Sequence, residues 1–95
     1  MVTDPLPSIQ EAISRGDYDV TVHAVEEMAE DGLDIFDIEC ALMGGDLTKT
    51  EADDPRGTKY TSVGKAVNGR TFVGVIGRFK ETGVFLIITV YEANG

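Results

Sequence analysis

The spacing of apolar residues changes once along this chain, and the change divides it in two. Up to residue 43 they recur every three or four positions, the period of an α-helix; from residue 46 they alternate or run together, as strands do. Ile9, Ala12 and Ile13 form one face of a first helix, with Pro7 near its start and Gly16 just past its end. Residues 18–21 alternate and predict a short strand. Thr21 then offers its hydroxyl to the free N–H groups of a second helix. On that helix Ala24, Val25, Met28 and Ala29 gather on one side, and His23, Glu26, Glu27, Glu30 and Asp31 on the other. Gly32 is placed to end it in the left-handed conformation. A third helix follows over residues 35–43, with Asp34 at its cap, Asp37 three residues on, and Leu33 and Ile38 at the positions of a hydrophobic staple. It is apolar nearly all round apart from Asp37 and Glu39, which predicts the most buried of the three.

Beyond Gly44-Gly45 the reading is extended. Residues 46–52, rich in Thr and Lys, suit a sheet edge. Asp53-Asp54-Pro55-Arg56-Gly57 reads as a loop and residues 58–67 as a second strand. Asn68-Gly69 signals a type I′ hairpin, in which both central residues take positive φ. Strands over 70–79 and 84–91 complete the chain. The last of these, Val84-Phe85-Leu86-Ile87-Ile88-Thr89-Val90-Tyr91, does not alternate, so both its faces must be covered or one must meet a partner. Pairing of residues 18–21 along it would protect its edge. The expected fold class is α+β: three short N-terminal helices packed on an antiparallel sheet of about four strands, with the second sheet face free for another subunit.

Composition narrows the functional classes. The chain has 95 residues, enough for one domain spanning 1–95, and its 42% apolar and 26% charged residues are ordinary for a globular protein. The longest apolar run, residues 84–88, is far too short to span a membrane. No basic segment followed by an apolar one opens the chain, so no signal peptide and a cytoplasmic location are expected. Cys40 stands alone in an apolar helix and is read as a buried small hydrophobe. Seventeen acidic residues against eight basic ones give a formal charge of −9. Such a surface repels phosphate backbones and argues against non-specific nucleic-acid binding.

With these elements in place, the chain resembles a family of small bacterial domains of unknown function. Its pattern, roughly Gly-x-Tyr-x-x-[Ser/Thr]-x-His-Ala-x-x-Arg-Met-x-x-Arg-Gly-[Ile/Leu], runs here from Gly16 to Leu33. An Asp-Asp-Pro loop (Asp53-Asp54-Pro55), a Gly-Arg-x-x-His-Val-Val strand (from Gly69) and a closing Ile-Thr-Val-Tyr strand (Ile88-Thr89-Val90-Tyr91) follow in order. That family is similar to RelE/ParE/BrnT-like toxins, many of which cleave ribosome-bound messenger RNA. The resemblance implies basic residues and a histidine that hold phosphate and shuttle protons. Three positions depart from it: Glu27 and Asp31 stand where the pattern has Arg, and Val73 where it has His. His23 and Arg70 remain.

The residues themselves offer little other chemistry. His23 with Glu26, Glu27 and Glu30 lies along one helix, but zinc sites bring more than one His or Cys ligand, so no metal is expected. No cofactor motif is present either: Gly44-Gly45 lacks the Lys and Ser/Thr of a phosphate loop. Gly64, Gly74 and Gly77 are read as strand bends. Arg70 and Arg78 share strand parity, with Phe72 and Ile76 between them, which gives either an anion clamp or an amphipathic sheet surface; Lys59, Lys65 and Tyr60 are further candidates. Two readings result. One is a non-catalytic or degenerate toxin-like module that binds a protein partner or itself, as a homo-oligomer, through the C-terminal sheet. The other is an endoribonuclease toxin of a toxin–antitoxin pair, with His23 as acid/base and Arg70 or Arg78 on phosphate.

Overall fold

The computed structural model describes residues 4–93; the first three residues of the N-terminus read above lie outside them. Three helices precede most of the sheet. Helix α1 (Leu6–Arg15) starts on Pro5, with Asp4 Oδ1 accepting from the Leu6 N–H, and stops where Gly16 turns left-handed at φ 76°. Strand β1 (Tyr18–Val20) leads to Thr21, whose Oγ1 accepts from the Ala24 N–H and so caps helix α2 (Val22–Glu30). Gly32, at φ 68°, lets the chain leave α2 with the Leu33 N–H bonded back to the Met28 carbonyl. Helix α3 (Ile35–Gly44) opens on a reciprocal capping box: Asp34 accepts from the Asp37 N–H, and Asp37 from the Asp34 N–H.

Strands β2 (Asp46–Glu51), β3 (Lys59–Lys65), β4 (Phe72–Phe79) and β5 (Phe85–Glu92) form an antiparallel meander. The short β1 adds to β5 in parallel, pairing Tyr18 with Phe85 and Val20 with Ile87. The sheet therefore has five strands in the order β1-β5-β4-β3-β2, not about four, and it is mixed rather than wholly antiparallel.

The core is one layer between the helices and a single sheet face. Ile9, Ala12 and Ile13 of α1, Ala24 and Met28 of α2, and Ile38, Ala41 and Leu42 of α3 pack with Val73, Val75, Phe85, Ile87 and Val90. The unbroken apolar run of β5 is resolved by a bulge. The pairing slips between Ile76–Thr89 and Gly77–Ile87, so Ile88 is the extra residue and the alternation resets. Phe85, Ile87 and Val90 then point inward, while Leu86, Ile88 and Tyr91 are only partly buried and stand outside the core.

Several local expectations are corrected. Helix α3 is no more buried than α1: Phe36 and Met43 are 65% and 47% exposed, and Cys40 between them is exposed rather than buried. Residues 36, 40 and 43 share one face, and the core needs only the opposite one. On α2, Val25 and Ala29 are likewise exposed; Ala24 and Met28 alone face inward. The Asn68-Gly69 turn is not a two-residue type I′ turn, because Gly69 has φ 72° but no residue other than glycine has positive φ among the described residues. Instead the Gly69 N–H reaches the Ala66 carbonyl and the Ala66 N–H the Thr71 carbonyl, closing a longer loop that Asn68 Oδ1 braces by accepting from the N–H groups of Arg70 and Thr71.

The glycines of β3 and β4 make room for neighbours. A side chain at Gly64 would strike the Ala41 carbonyl, so this glycine lets α3 approach the sheet. A methyl at Gly77 would enter the Phe85 ring, and one at Gly74 the ring of Tyr91.

Candidate functional site

His23 lies in the first turn of α2 with its side chain 68% exposed, and its Nε2 is 3.4 Å from Glu27 Oε1. Glu27 already has a structural task. β1 is three residues long and covers only the first part of β5, so the rest of that edge would carry unpaired backbone groups. Thr21 meets the first of them: its N–H donates to the Ile87 carbonyl at 3.0 Å and its hydroxyl to the Ile88 carbonyl at 3.1 Å. Glu27 Oε1 accepts from the Val90 N–H at 3.1 Å, nearly two turns further along α2. Helix α2 thus seals the β5 edge, and the carboxylate beside His23 stands in for a strand neighbour. An arginine, which has donors only, could not accept this bond.

The cations expected to join His23 do not converge with it. Arg70 is exposed in the β3–β4 loop, before β4 begins, so strand parity does not place it beside Arg78. Phe72 and Arg78 alone are about 20 Å apart along β4, at ~3.3 Å per residue. Arg78 stands at the other end, among the charges around Asp54. There the Arg56 N–H donates to Asp54 Oδ1 at 2.9 Å, and Lys59 Nζ lies 3.7 Å from Oδ2. The Arg56 backbone bond, with the nearby charges of Arg56, Lys59 and Arg78, holds the Asp54 carboxyl below its ordinary range. Among the described residues there is no cavity and no group of three His, Cys, Asp or Glu side chains that could share a metal ion. No described helix is long and apolar enough to cross a membrane.

What the fold does assemble is a surface. No described helix packs on the second face of the sheet, where Val63, Ile76, Leu86, Ile88 and Tyr91, all partly buried, and the exposed Phe72 form an apolar field. Tyr91 lies over Gly74, so its ring rests on the backbone of β4. Lys65 Nζ sits 5.7 Å from the centroid of the Phe72 ring, within cation–π range. Lys59 and Arg78 border the field at its other end, together with the carboxylates of Asp54 and Glu51. Opposite, on the helix side, the Tyr18 hydroxyl donates to Glu39 Oε2 at 2.6 Å. Burial, together with that bond and the Glu39 charge, pushes the Tyr18 phenol up to about 12.

The charge of −9 is divided in the same way. Residues 1–44, which hold all three helices, carry eleven of the carboxylates and one cation, Arg15; residues 45–95 carry six carboxylates and seven cations. The helical layer is strongly acidic, and the strand half is close to neutral, with charges of both signs bordering an apolar centre. Sequence reading missed the Glu27–Val90 and Tyr18–Glu39 bonds and the Tyr91–Gly74 contact, since each depends on register between segments far apart in the chain.

A family pattern covers most of this layout. The domain of unknown function DUF4258 matches residues 20–92, from the end of β1 through β5. The chain belongs to the DUF4258 family. Its match takes in α2 with His23, the Asp54 loop and the whole meander, and leaves out α1. No curated protein and no solved structure matches the chain.

Proposed function

We propose that this DUF4258 domain is a non-catalytic, degenerate member of the RelE/ParE-like toxin group, acting in the cytoplasm as an interaction module that takes a protein partner on the open face of its sheet. The observation that carries the reading is that face itself. Six large apolar side chains lie there without a described helix over them, bordered by charges of both signs. Contiguous apolar surface of this kind on a small domain marks an interaction site. Glu27 adds support, since it holds the β5 edge with a carboxylate where the family pattern has an arginine. So does the spread of His23, Arg70 and Arg78 over three separate places in the fold, because acid–base and phosphate-binding groups must reach one scissile bond.

A photo-crosslinking side chain at Ile76, introduced into the chain in a growing bacterial host, tests this. A protein adduct is expected, with no growth arrest on tight induction. RNA adducts together with an arrest that His23→Ala relieves at equal expression would replace this reading by the endoribonuclease one, in which His23 is the acid/base. Absence of any adduct would also overturn it.

A further inference from the structure

The loop between β3 and β4 carries a reactive pair. In an Asn-Gly sequence the backbone nitrogen of the glycine can attack the carboxamide carbon of the asparagine, because glycine has no side chain to hinder the approach. Asn68-Gly69 is such a pair, and Asn68, Gly69 and Arg70 are all exposed, so burial does not keep water or base from it. Hydrogen bonds hold it instead. Asn68 Oδ1 accepts from the Arg70 N–H at 2.8 Å and from the Thr71 N–H at 2.9 Å, and Asn68 Nδ2 donates to Thr71 Oγ1 at 2.8 Å. All three bonds draw the carboxamide forward across the turn. The Gly69 N–H donates to the Ala66 carbonyl at 2.9 Å, so the proton that the attacking nitrogen must lose is itself engaged. Attack requires the carboxamide to rotate out of its three bonds and the Gly69 N–H to leave the fourth.

The turn needs both of these residues. Gly69 sits at φ 72°, where a side chain is strained. Asn68 supplies acceptor and donor from one side chain, as its carboxamide allows and an aliphatic side chain does not. The loop is also anchored on both sides: the Val67 N–H donates to Asp37 Oδ1 at 3.1 Å, and the Ala66 N–H to the Thr71 carbonyl at 2.8 Å. The conformation that demands Asn-Gly is therefore the one that keeps it unreactive.

We propose that Asn68-Gly69 is a latent self-modification site, a deamidation centre that the folded loop holds shut and that local opening releases. Once released, base removes the Gly69 N–H proton and the nitrogen bonds to Asn68 Cγ. The carboxamide nitrogen takes up a proton from water and leaves as ammonia, and a five-membered imide remains. Water then opens the ring. Breaking the bond from the nitrogen to the side-chain carbonyl gives aspartate, and breaking the bond to the main-chain carbonyl gives isoaspartate. Aspartate keeps the oxygen acceptors for the Arg70 and Thr71 N–H groups, so the loop stays closed with one more negative charge. Isoaspartate adds a carbon to the main chain between the anchors at Val67 and Thr71, and it is the product that loosens the loop from α3. This chemistry is independent of what binds the open sheet face.

Peptide mapping tests the proposal directly. The wild type is held at mildly alkaline pH, folded in buffer and unfolded in guanidinium chloride, and tryptic peptide 66–70 is followed by mass spectrometry with chromatography that separates aspartate from isoaspartate. Asn94-Gly95, the same pair elsewhere in the sequence, falls on a different tryptic peptide and is read separately. Deamidation of Asn68 should be at least about tenfold slower in the folded protein, because several hydrogen bonds must break together. Thr71→Val removes the Oγ1 acceptor and should raise the folded rate about fivefold, the worth of one hydrogen bond, with no change in guanidinium chloride. Thr71→Ser keeps the hydroxyl and should match the wild type; circular dichroism confirms that both variants are folded. Equal rates in folded and unfolded wild type would overturn the proposal, as would a folded Thr71→Val variant that deamidates no faster than Thr71→Ser.

Discussion

The two faces of the sheet are built from the same strands but put to opposite uses. On the helix side Val73, Val75, Phe85, Ile87 and Val90 are each at most 1% exposed, and eight residues from three helices close over them. On the other side Val63, Ile76, Leu86 and Ile88 are of the same chemical kind, yet they are only partly buried and no described helix covers them. Hydrophobicity alone does not separate the two sets. What separates them is which parity of each strand the helices reach, fixed by the bulge at Ile88 and by the close approach of α3 at Gly64. The helix-side residues hold the fold together, whereas the open-face residues are available for something outside it.

Substituting one residue from each face is the most direct way to break that comparison. Phe85 is 1% exposed and makes edge-to-face contact with Phe79 at 5.2 Å between ring centroids. Phe85→Ala should cost roughly 3–5 kcal/mol of unfolding free energy in urea titrations, which for a domain this small removes much of its stability. Ile76→Ala, in the same sheet though with a smaller loss of apolar bulk, should cost under about 1.5 kcal/mol, since its site is partly open and leaves no sealed cavity. Equal losses at the two positions would mean that the open face is packed by the chain itself, and the interaction reading would lose its basis.

The edges of the sheet make a second, smaller contrast. β2 ends the sheet with its outer backbone groups exposed, protected by the irregularity between Leu47 and Lys49 and by charged side chains. At the other end β5 is sealed by Thr21 and Glu27. Glu27→Ala removes the acceptor from the Val90 N–H and should cost about 1–2 kcal/mol, with faster hydrogen exchange at Val90. Glu27→Gln keeps a carbonyl acceptor and should recover most of the loss. If both variants exchange alike and match the wild type, the edge is held by β1 and packing alone.

Much of this was legible in the chain. The switch of period near residue 45 separates helices from strands, and the caps at Thr21 and Asp34 appear where their hydroxyl and carboxylate predict. The unbroken apolar run of β5 poses its two-sided problem in the sequence itself. Exposure was misread on α2 and α3, and for one reason: an apolar helix face predicts burial only when something lies opposite. Val25, Phe36, Cys40 and Met43 are exposed among the described residues. The site was less legible than the fold, because the family pattern marks residues in sequence and not whether they meet. His23 and Glu27 are four apart on one helix and do meet; Arg70 and Arg78 lie in different structural contexts and do not.

The smallest effect concerns the helix side alone and reads its dryness through a proton. Tyr18 is partly buried at the end of the core, with its hydroxyl on Glu39. Its pKa rises from 10.0 to about 12 because burial, the Glu39 bond and the Glu39 charge all disfavour the phenolate. The folded chain therefore keeps a proton that the unfolded chain releases near pH 10. Below that pH the stabilisation is present in full; between 10 and about 12 the unfolded state binds fewer protons, so stability must fall as pH rises. Tyr18→Phe should cost about 1 kcal/mol near neutral pH, the worth of one hydrogen bond. That gap should close as pH climbs through the window, because only the wild type then carries a group forced to ionise against burial and a neighbouring carboxylate. Urea titrations of both proteins at several pH values measure it. A gap that stays constant up to pH 12 would mean that water reaches Tyr18 freely, and that the helix side is less sealed at this end than at Phe85.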